Sequence, residues 1–319
     1  MPAIDPRNVA LQDRDISLLA DLLESRVLTL DHIRTLHFAG KNEMAKKRVQ
    51  RLKSAGLIAE RPRRIGETSI LHLTWQGYGA LREAGHICDD SHLTAKTFAR
   101  RMTVSGMTLT HELMIADVRT AFAVSMREST QCKLLAFDVW PRRYTFTVGH
   151  GYNRVNVKPD GHLRFVGKRN DEEFQYDFFI EVDTGSETLD RVVQKCVNYR
   201  EYHRSGGYAV FCGGKKEETK SYPFRVLVVC RSEARRNNLA ERLLQVQPPF
   251  STMVLIATQP ECVRDPLGKI WLATMFALPP LRKAAVPAVR KGSNRIRARI
   301  ACRFGDAART QTRAGAKTR

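Results

Sequence analysis

Three acidic residues stand where two neighbouring strands of a predicted sheet begin and end. Asp160 follows Pro159 at the head of one strand, while Glu181 and Asp183 close the next, strongly apolar strand. Because side chains alternate along a strand, Glu181 and Asp183 share one face. Converging carboxylates are hard oxygen ligands for Mg²⁺, which polarises a phosphate and lowers the pKa of an attacking water. The pattern indicates a catalytic site in which Asp160 and Glu181 bind the metal.

Lys195 adds a positive charge to this set. It lies on a predicted helix over 187–202, in a stripe formed with Thr188, Arg191 and Tyr199. A helix that runs back over the acidic strand would aim Lys195 at the carboxylates, where an ammonium group neutralises charge that builds on a phosphate. The candidate catalytic residues are therefore Asp160, Glu181, Asp183 and Lys195.

Each of these residues also has a structural interpretation that involves no catalysis. Acids at strand ends beside a turn are common, and Asp183-Thr184-Gly185 is typical of a turn. An exposed lysine on a helix often pairs with a nearby acid, here Asp190 or Glu201. Residue types and spacing leave both interpretations open.

The elements that must position these residues are predicted to form a mixed sheet with helices against it. Strands are predicted over residues 133–140, 144–147, 155–165, 174–183, 224–230 and 252–257, and helices over 109–124, 187–202 and 233–246. Antiparallel strands followed by a crossover helix and a further strand are typical of a mixed α/β sheet. We therefore predict an α/β domain over residues 107–280.

The first part of the chain has a different order of elements. Helices are predicted over 11–25, 31–36 and 42–54, strands over 57–60 and 69–74, and a closing helix over 76–84. Gly56 ends the third helix, as glycine commonly does, and a basic turn joins the two strands. Three helices followed by a hairpin with a basic tip are the order of a winged helix-turn-helix. We assign this domain to residues 1–88, with a linker over 89–106.

The third predicted helix separates apolar from basic side chains. Ala45, Val49 and Leu52 cluster within a narrow arc that must face the core. The opposite side suits a DNA major groove, because lysine binds phosphates or guanine and glutamine pairs with adenine, while wing arginines follow the adjacent backbone. The candidate contacts to double-stranded DNA are Lys46, Lys47, Gln50, Arg51, Lys53, Arg61, Arg63 and Arg64. The alternative is a solvated basic face or a surface for protein docking.

The overall charge favours a polyanionic partner, either nucleic acid or an acidic membrane surface. The 319 residues carry 53 Lys and Arg against 33 Asp and Glu, which gives a net charge of +20 and a pI near 10.0. More than half of this excess follows residue 248. We predict that residues 281–319 form a disordered basic tail.

Several functions are disfavoured by what the sequence lacks. No apolar run approaches the roughly 18 residues that span a bilayer, and the first residues contain no apolar secretory signal. The seven cysteines form no CxxC pair, which disfavours a zinc site and a disulfide framework. No GxxxxGK[ST] loop occurs, so ATP hydrolysis is disfavoured. We expect a bacterial, cytoplasmic protein without a membrane partner.

Seven segments between residues 14 and 246 form a recognisable set. They are RDISLLADLLESRVLTLDHIRTLHF, VQRLKSAGLI, LTWQGYGAL, THELMIADV, KPDG, FFIEVDTGSET and KCVNY running into YREYH. Together they resemble the replication-relaxation family of plasmid and integrative-element proteins. The resemblance implies a winged helix joined to a domain similar to PD-(D/E)XK nucleases, with Asp160 as the motif's aspartate and Glu181 as its second acid.

The resemblance also identifies departures from that nuclease motif. Asp183 stands where the motif has lysine, and Lys195 would be that lysine, moved onto the following helix. His111 falls in the family's HxL pattern, but we interpret a lone histidine on an amphipathic helix as structural.

Two functions follow as hypotheses. The first is a DNA-binding protein of a plasmid or mobile element that acts in plasmid replication, DNA relaxation or mobilisation and nicks DNA by Mg²⁺-dependent hydrolysis. The alternative is a non-catalytic winged-helix regulator of transcription or replication with a nuclease-like scaffold, so enzymatic activity stays open. Covalent attack by Tyr199 is disfavoured, because the nine histidines are scattered and form no HxH metal site. The expected partners are double-stranded DNA, a second copy of the chain, and plasmid replication or mobilisation proteins, and Mg²⁺ is the cofactor if the protein is catalytic.

Overall fold

The computed structural model describes residues 9–63, 65–87, 94–139, 145–149, 151–169, 172–250, 252–273 and 282–283. The chain divides into two compact units, with the boundary between Val104 and Ser105. Arg64, part of the predicted linker and nearly all of the predicted basic tail lie outside the described residues. Within the described ranges, every helix is too short or too polar to cross a membrane.

The first unit arranges helices around a small sheet. Its elements are α1 (Asp13–Ser25), β1 (Leu28–Thr29), α2 (Leu30–His37), α3 (Asn42–Ser54), β2 (Ile58–Glu60), β3 (Ile70–Leu73), α4 (Trp75–Glu83) and α5 (Ala95–Met102). Strand β3 lies between β1 and β2 and is antiparallel to both. This is the order of a winged helix-turn-helix, as the predicted fold class requires. The buried residues of α3 are Ala45, Val49 and Leu52, as their spacing predicts.

Part of the predicted linker is a helix. Thr94 caps α5, since its hydroxyl accepts a hydrogen bond from the amide of Thr97 at 3.2 Å. Phe98 is buried, and its ring centroid lies 5.5 Å from that of Trp75 and 5.3 Å from that of Tyr78. The segment predicted as a linker over 89–106 therefore contains a helix, and an aromatic cluster holds this α5 on α4.

Gly77 occupies a position in α4 that admits no side chain. A Cβ atom here would lie 2.1 Å from the carbonyl oxygen of Leu57, whereas nothing lies within 4 Å of a Cβ at Gly79. We expect Gly77→Ala to lower the free energy of unfolding by about 1–3 kcal/mol, because the main chain must move. Gly79→Ala, the control, should raise it by about 0.5–1 kcal/mol, since alanine favours a helix. Urea unfolding measures both values, and equal effects would contradict the close approach at Leu57.

The second unit is built on a mixed sheet. Its elements are α6 (Gly106–Glu128), β4 (Cys132–Val139), β5 (Phe146–Val148), β6 (Val155–Val157), β7 (Gly161–Arg169), β8 (Glu172–Asp183), α7 (Leu189–Arg204), α8 (Gly207–Phe211), β9 (Arg225–Cys230), α9 (Glu233–Leu244), β10 (Val254–Thr258), α10 (Gln259–Arg264), β11 (Leu272–Ala273) and β12 (Arg282–Lys283). The main sheet has the order β11-β10-β9-β8-β7-β4, and β12 also pairs with β8. Strands β4, β7 and β8 are antiparallel neighbours, whereas β9 runs parallel to both β8 and β10. The mixed α/β fold class is confirmed.

Two predicted segments differ from the structure. The strand expected over 155–165 is interrupted: β6 pairs with β5 in a separate hairpin, and β7 begins only at Gly161. Pro159 lies in the break and has no amide hydrogen to donate to a ladder. Arg282 and Lys283, which we predicted to be part of a disordered tail, form β12 opposite Gln175 and Phe174.

Helices cover both faces of the main sheet, so β8 is buried on both sides. Phe179 belongs to the apolar core beneath α7 and α9, while Ile180 and Val182 belong to the core beneath α6 and α10. The alternation of side chains along β8 places Glu181 on the same face as Phe179. Helix α7, which connects β8 to the parallel strand β9, therefore lies over Glu181.

Candidate active site

Asp160 is held against the strand that carries Glu181. The Asp160 amide donates to the carbonyl oxygen of Ile180 at 3.0 Å, and the Val182 amide donates to the Oδ2 atom of Asp160 at 2.8 Å. Ile180 and Val182 flank Glu181 on β8, so these two bonds fix the Asp160 carboxylate beside it. The fold brings these two predicted site residues together.

Glu181 is the most perturbed acid of this site. Only 5% of its side chain is exposed. The Tyr199 hydroxyl donates to its Oε1 atom at 2.6 Å, and Lys195 Nζ lies 3.3 Å from Oε2. Burial and repulsion by Asp160 raise the pKa of Glu181 to about 7, although the Lys195 charge and the Tyr199 hydrogen bond oppose that rise. Glu181 therefore changes its charge near neutral pH.

Lys195 bridges two carboxylates. Its Nζ atom lies 3.3 Å from Glu181 Oε2 and 2.8 Å from Glu187 Oε2. Burial lowers the pKa of Lys195, but the attraction of Glu181 and Glu187 outweighs burial and raises it above the usual range. The alternative partners, Asp190 and Glu201, pair with arginines instead. Of the two interpretations that the sequence left open, the structure thus has Lys195 beside the acidic strand and not beside Asp190 or Glu201.

Asp183 is engaged elsewhere. Its Oδ2 atom lies 2.7 Å from Arg235 Nε, and Arg235 Nη2 donates to its Oδ1 atom at 3.2 Å. The same Oδ1 accepts a hydrogen bond from the Gly185 amide at 2.9 Å, which fixes the turn after β8. An ion pair with α9 and the turn after β8 therefore engage the Asp183 carboxylate, and its predicted catalytic role stays a prediction.

His111 contacts the site from α6, although its residue type alone suggested a structural role. Its Nε2 atom lies 3.2 Å from Asp160 Oδ2. Burial lowers the pKa of His111, but the hydrogen bond and charge of Asp160 outweigh burial and raise it. One signal was available in the sequence: Ile115 and Val118 stand four and seven residues later, so His111 continues the buried stripe of α6.

Asp160 and Glu181 are the residues that could hold Mg²⁺. This ion commonly takes one or two carboxylates from a protein and completes its shell with water and phosphate. The described ranges contain no group of three or more His, Cys, Asp or Glu residues placed to hold a metal ion, and the candidate ligands are Asp160 and Glu181 alone. A divalent cation would relieve the repulsion that raises the pKa of Glu181, and the donor set therefore fits this metal.

The basic face of the first unit is partly neutralised by acids. Lys47, Gln50 and Arg51 are exposed on α3. Lys46 is also exposed but lies 3.2 Å from Glu43. The three remaining described candidates have specific partners: Arg61 donates to the Val104 carbonyl oxygen at 2.5 Å, Arg63 lies 2.6 Å from Glu60, and Lys53 also pairs with Glu60. Sequence spacing missed this role of Glu60.

Glu60 is a strong acceptor at the base of the wing. Its Oε1 atom accepts hydrogen bonds from Arg63 at 2.6 Å and from the Ser69 hydroxyl at 2.8 Å. The hydrogen bond from Lys53, followed by those from Arg63 and Ser69, lowers the pKa of Glu60 to about 2. Glu60 therefore carries its full charge at neutral pH and holds both cations.

The sequence matches the family described as replication-relaxation over residues 19–212, well over half of the chain. The chain belongs to the replication-relaxation family. The match confirms the resemblance carried by the sequence motifs. For this replication-relaxation protein, the matched range contains the residues that converge at the candidate site: His111, Asp160, Glu181, Lys195 and Tyr199. Arg235, which holds Asp183, lies beyond it.

Comparison with other proteins adds little to the family assignment. No curated protein matches this replication-relaxation protein. Among solved structures, the restriction endonuclease FokI is similar at 13% sequence identity and a TM-score of 0.25, over 79% of this chain and 43% of the FokI chain. The protein thus spans less than half of the FokI chain, and a TM-score of 0.25 is too low to relate the two folds.

Proposed function

We propose that this replication-relaxation protein binds double-stranded DNA with its winged helix and nicks DNA by Mg²⁺-dependent hydrolysis in its second unit. The observation that carries the proposal is the convergence of Asp160, just before β7, with Glu181 of β8 and Lys195 of α7. Two acids and an ammonium group in one partly buried site match the requirements of phosphodiester hydrolysis.

Each side chain has a defined part in this proposal. Mg²⁺, held by Asp160 and Glu181, would supply charge stabilisation and activate a water. Lys195 neutralises charge that develops on the phosphate, because its ammonium group lies beside Glu181 and keeps part of its surface exposed. His111 positions Asp160 from α6, and Tyr199 fixes the orientation of Glu181 by donating to Oε1.

Conversion of supercoiled plasmid to open circles in the presence of Mg²⁺ tests this function. Wild-type protein should nick, Asp160→Asn should not, and Glu173→Gln should nick like the wild type. Glu173 is a suitable control because it is an exposed acid on the same strand as Glu181. Equal nicking by wild type and Asp160→Asn would overturn the assignment.

The second candidate function is a non-catalytic regulator of transcription or replication that binds DNA. It is favoured by Asp183, which stands at the motif's lysine position and is paired with Arg235. Under this alternative the second unit is a scaffold, and footprinting would show DNA protection without any Mg²⁺-dependent nick. In either case we propose a cytoplasmic protein that acts with double-stranded DNA, a second copy of itself and plasmid replication or mobilisation proteins.

If the basic face of the first unit binds DNA, removing the negative charge of Glu60 should increase the affinity for DNA. Glu60→Gln should release Lys53 and Arg63, tighten binding to duplex DNA and steepen the log–log salt dependence by up to about 1.8, since each added phosphate contact contributes about 0.9. Fluorescence anisotropy across a series of KCl concentrations measures this slope. Glu83→Gln, an exposed acid of α4, makes the same charge change without releasing either cation. The same slope in both variants would contradict the role of Glu60.

A further inference from the structure

The segment between Asp138 and Asp160 is purely basic in its charges. It contains four Lys and Arg residues and no Asp or Glu. Two of these cations, Arg154 and Lys158, are described and exposed. The segment leads directly into Asp160, so its positive charge is next to the acidic site in the chain.

The β5–β6 hairpin within this segment has a firmly packed base. Phe146, Val148 and Val157 are buried and belong to the apolar core beneath α7. The Phe146 ring stacks on Tyr202, with centroids 3.9 Å apart, and lies 5.3 Å from the ring of Tyr199. Because the Tyr199 hydroxyl bonds to Glu181, the base of the hairpin is anchored on the same helix face that supports the site.

The end of the hairpin contrasts with its base. Tyr152 follows Gly151, which has a φ of 57°, and its side chain is fully exposed. Arg154 and Lys158 follow Tyr152 in the chain, between it and Asp160. An exposed aromatic residue followed closely by exposed cations is a combination with which proteins bind nucleic acid strands, since bases stack on the ring and phosphates pair with the cations.

We propose that this hairpin is a DNA-strand contact of the second unit, in which Tyr152 stacks on an unpaired base and Arg154 and Lys158 bind backbone phosphates. The inference rests on the proposed function, because the strand it binds is the one that reaches Asp160 and Glu181. Asp160 follows Tyr152 by eight positions, so their Cα atoms lie at most about 29 Å apart.

Binding to a fluorescein-labelled 15-nucleotide oligo(dT), measured by anisotropy in EDTA, tests the hairpin without requiring hydrolysis. Tyr152→Ala and Tyr152→Leu should each weaken binding about tenfold, as expected for one lost stack, while Tyr152→Phe should bind like the wild type. Leu244→Ala, at an exposed apolar residue of α9, should have no effect. Full binding by Tyr152→Leu would overturn the stacking role.

The cations have a separate readout. Arg154→Ala should reduce the log–log salt slope by about 0.7, the value for one single-strand phosphate contact. Arg204→Ala is the control, because Arg204 is exposed and its described ion pair is with Glu201. Photo-crosslinking of 5-bromodeoxyuridine DNA should recover the peptide that contains Tyr152. Crosslinks confined to other peptides would overturn the contact, whereas intact crosslinking without nicking would overturn only the proposed hydrolysis.

Discussion

Glu181→Gln is expected to reduce Mg²⁺-dependent nicking at least about a hundredfold and, without metal, to raise the free energy of unfolding at pH 8. The loss of activity follows because glutamine keeps the shape of the side chain but removes one of two carboxylate charges at the site. The gain in stability follows because the wild type must bury a charge beside Asp160.

The sign of the stability effect comes from the direction of the pKa shift. The ordinary pKa of a glutamate is 4.5, and that of Glu181 in the folded protein is about 7. The folded state therefore binds more protons than the unfolded state between these values, and stability falls as pH rises through that window. Glutamine does not titrate, so the Glu181→Gln variant should lack this fall and be about 1–3 kcal/mol more stable than the wild type at pH 8.

Lys195 does not cancel this gain, because it has a second carboxylate partner. Its Nζ atom lies 2.8 Å from Glu187 Oε2, and the substitution of Glu181 does not remove this ion pair. The amide oxygen of glutamine can also accept the hydrogen bond from Tyr199, so that hydroxyl is not left without a partner.

Urea unfolding in EDTA at pH 5 and pH 8, together with the plasmid assay, measures both halves of this prediction. The difference in stability between the two proteins should be smaller at pH 5 than at pH 8. Glu173→Gln, at an exposed acid near the start of β8, should change neither the free energy of unfolding nor the nicking activity. A Glu181→Gln variant that is less stable than the wild type at pH 8 would mean that Lys195 and Tyr199 outweigh the burial of the charge.

Local periodicity was sufficient to predict much of the fold. The arc of Ala45, Val49 and Leu52 predicted the buried side of α3, because a helix repeats every 3.6 residues. Alternation along β8 likewise placed Glu181 on one face, and helical spacing aimed Lys195 at that face.

Contacts between distant residues could not be predicted in this way. His111 meets Asp160 across 49 positions, and Lys53 is captured by Glu60 on the strand that follows α3. A helical wheel describes one helix at a time. It therefore cannot show that a side chain has a partner on another element, or that an acid on a following strand neutralises a lysine of the helix. The sequence therefore predicted Lys53 as a DNA contact without its partner Glu60. It also did not predict that His111 of α6 contacts Asp160.

Asp15→Ala is expected to lower the free energy of unfolding of the first unit by about 1.5–3 kcal/mol, because it removes the charged hydrogen-bond acceptor of the partly buried Arg48 guanidinium. Asp15 is fully buried, and its Oδ1 atom accepts a hydrogen bond from Arg48 Nε at 2.7 Å. The hydrogen bond that Arg48 donates to Asp15 raises the pKa of Arg48, so the arginine keeps its charge. Asp15 also caps α1, since the Gln12 amide donates to its Oδ2 atom at 2.8 Å.

The pair matters for function because Arg48 lies between Lys47 and Val49 on α3. Its inward ion pair ties the helix with the proposed DNA-binding face to the start of α1, so losing the pair should also weaken duplex binding. Asp13→Ala, at an exposed acid in the same turn of α1, should cost no more than about 1 kcal/mol. The double variant Asp15→Ala/Arg48→Met should be more stable than Asp15→Ala alone, since no buried charge then lacks a partner. If Arg48→Met instead lowered the free energy of unfolding of the Asp15→Ala variant as much as it lowers that of the wild type, the ion pair would not be what couples α1 to α3.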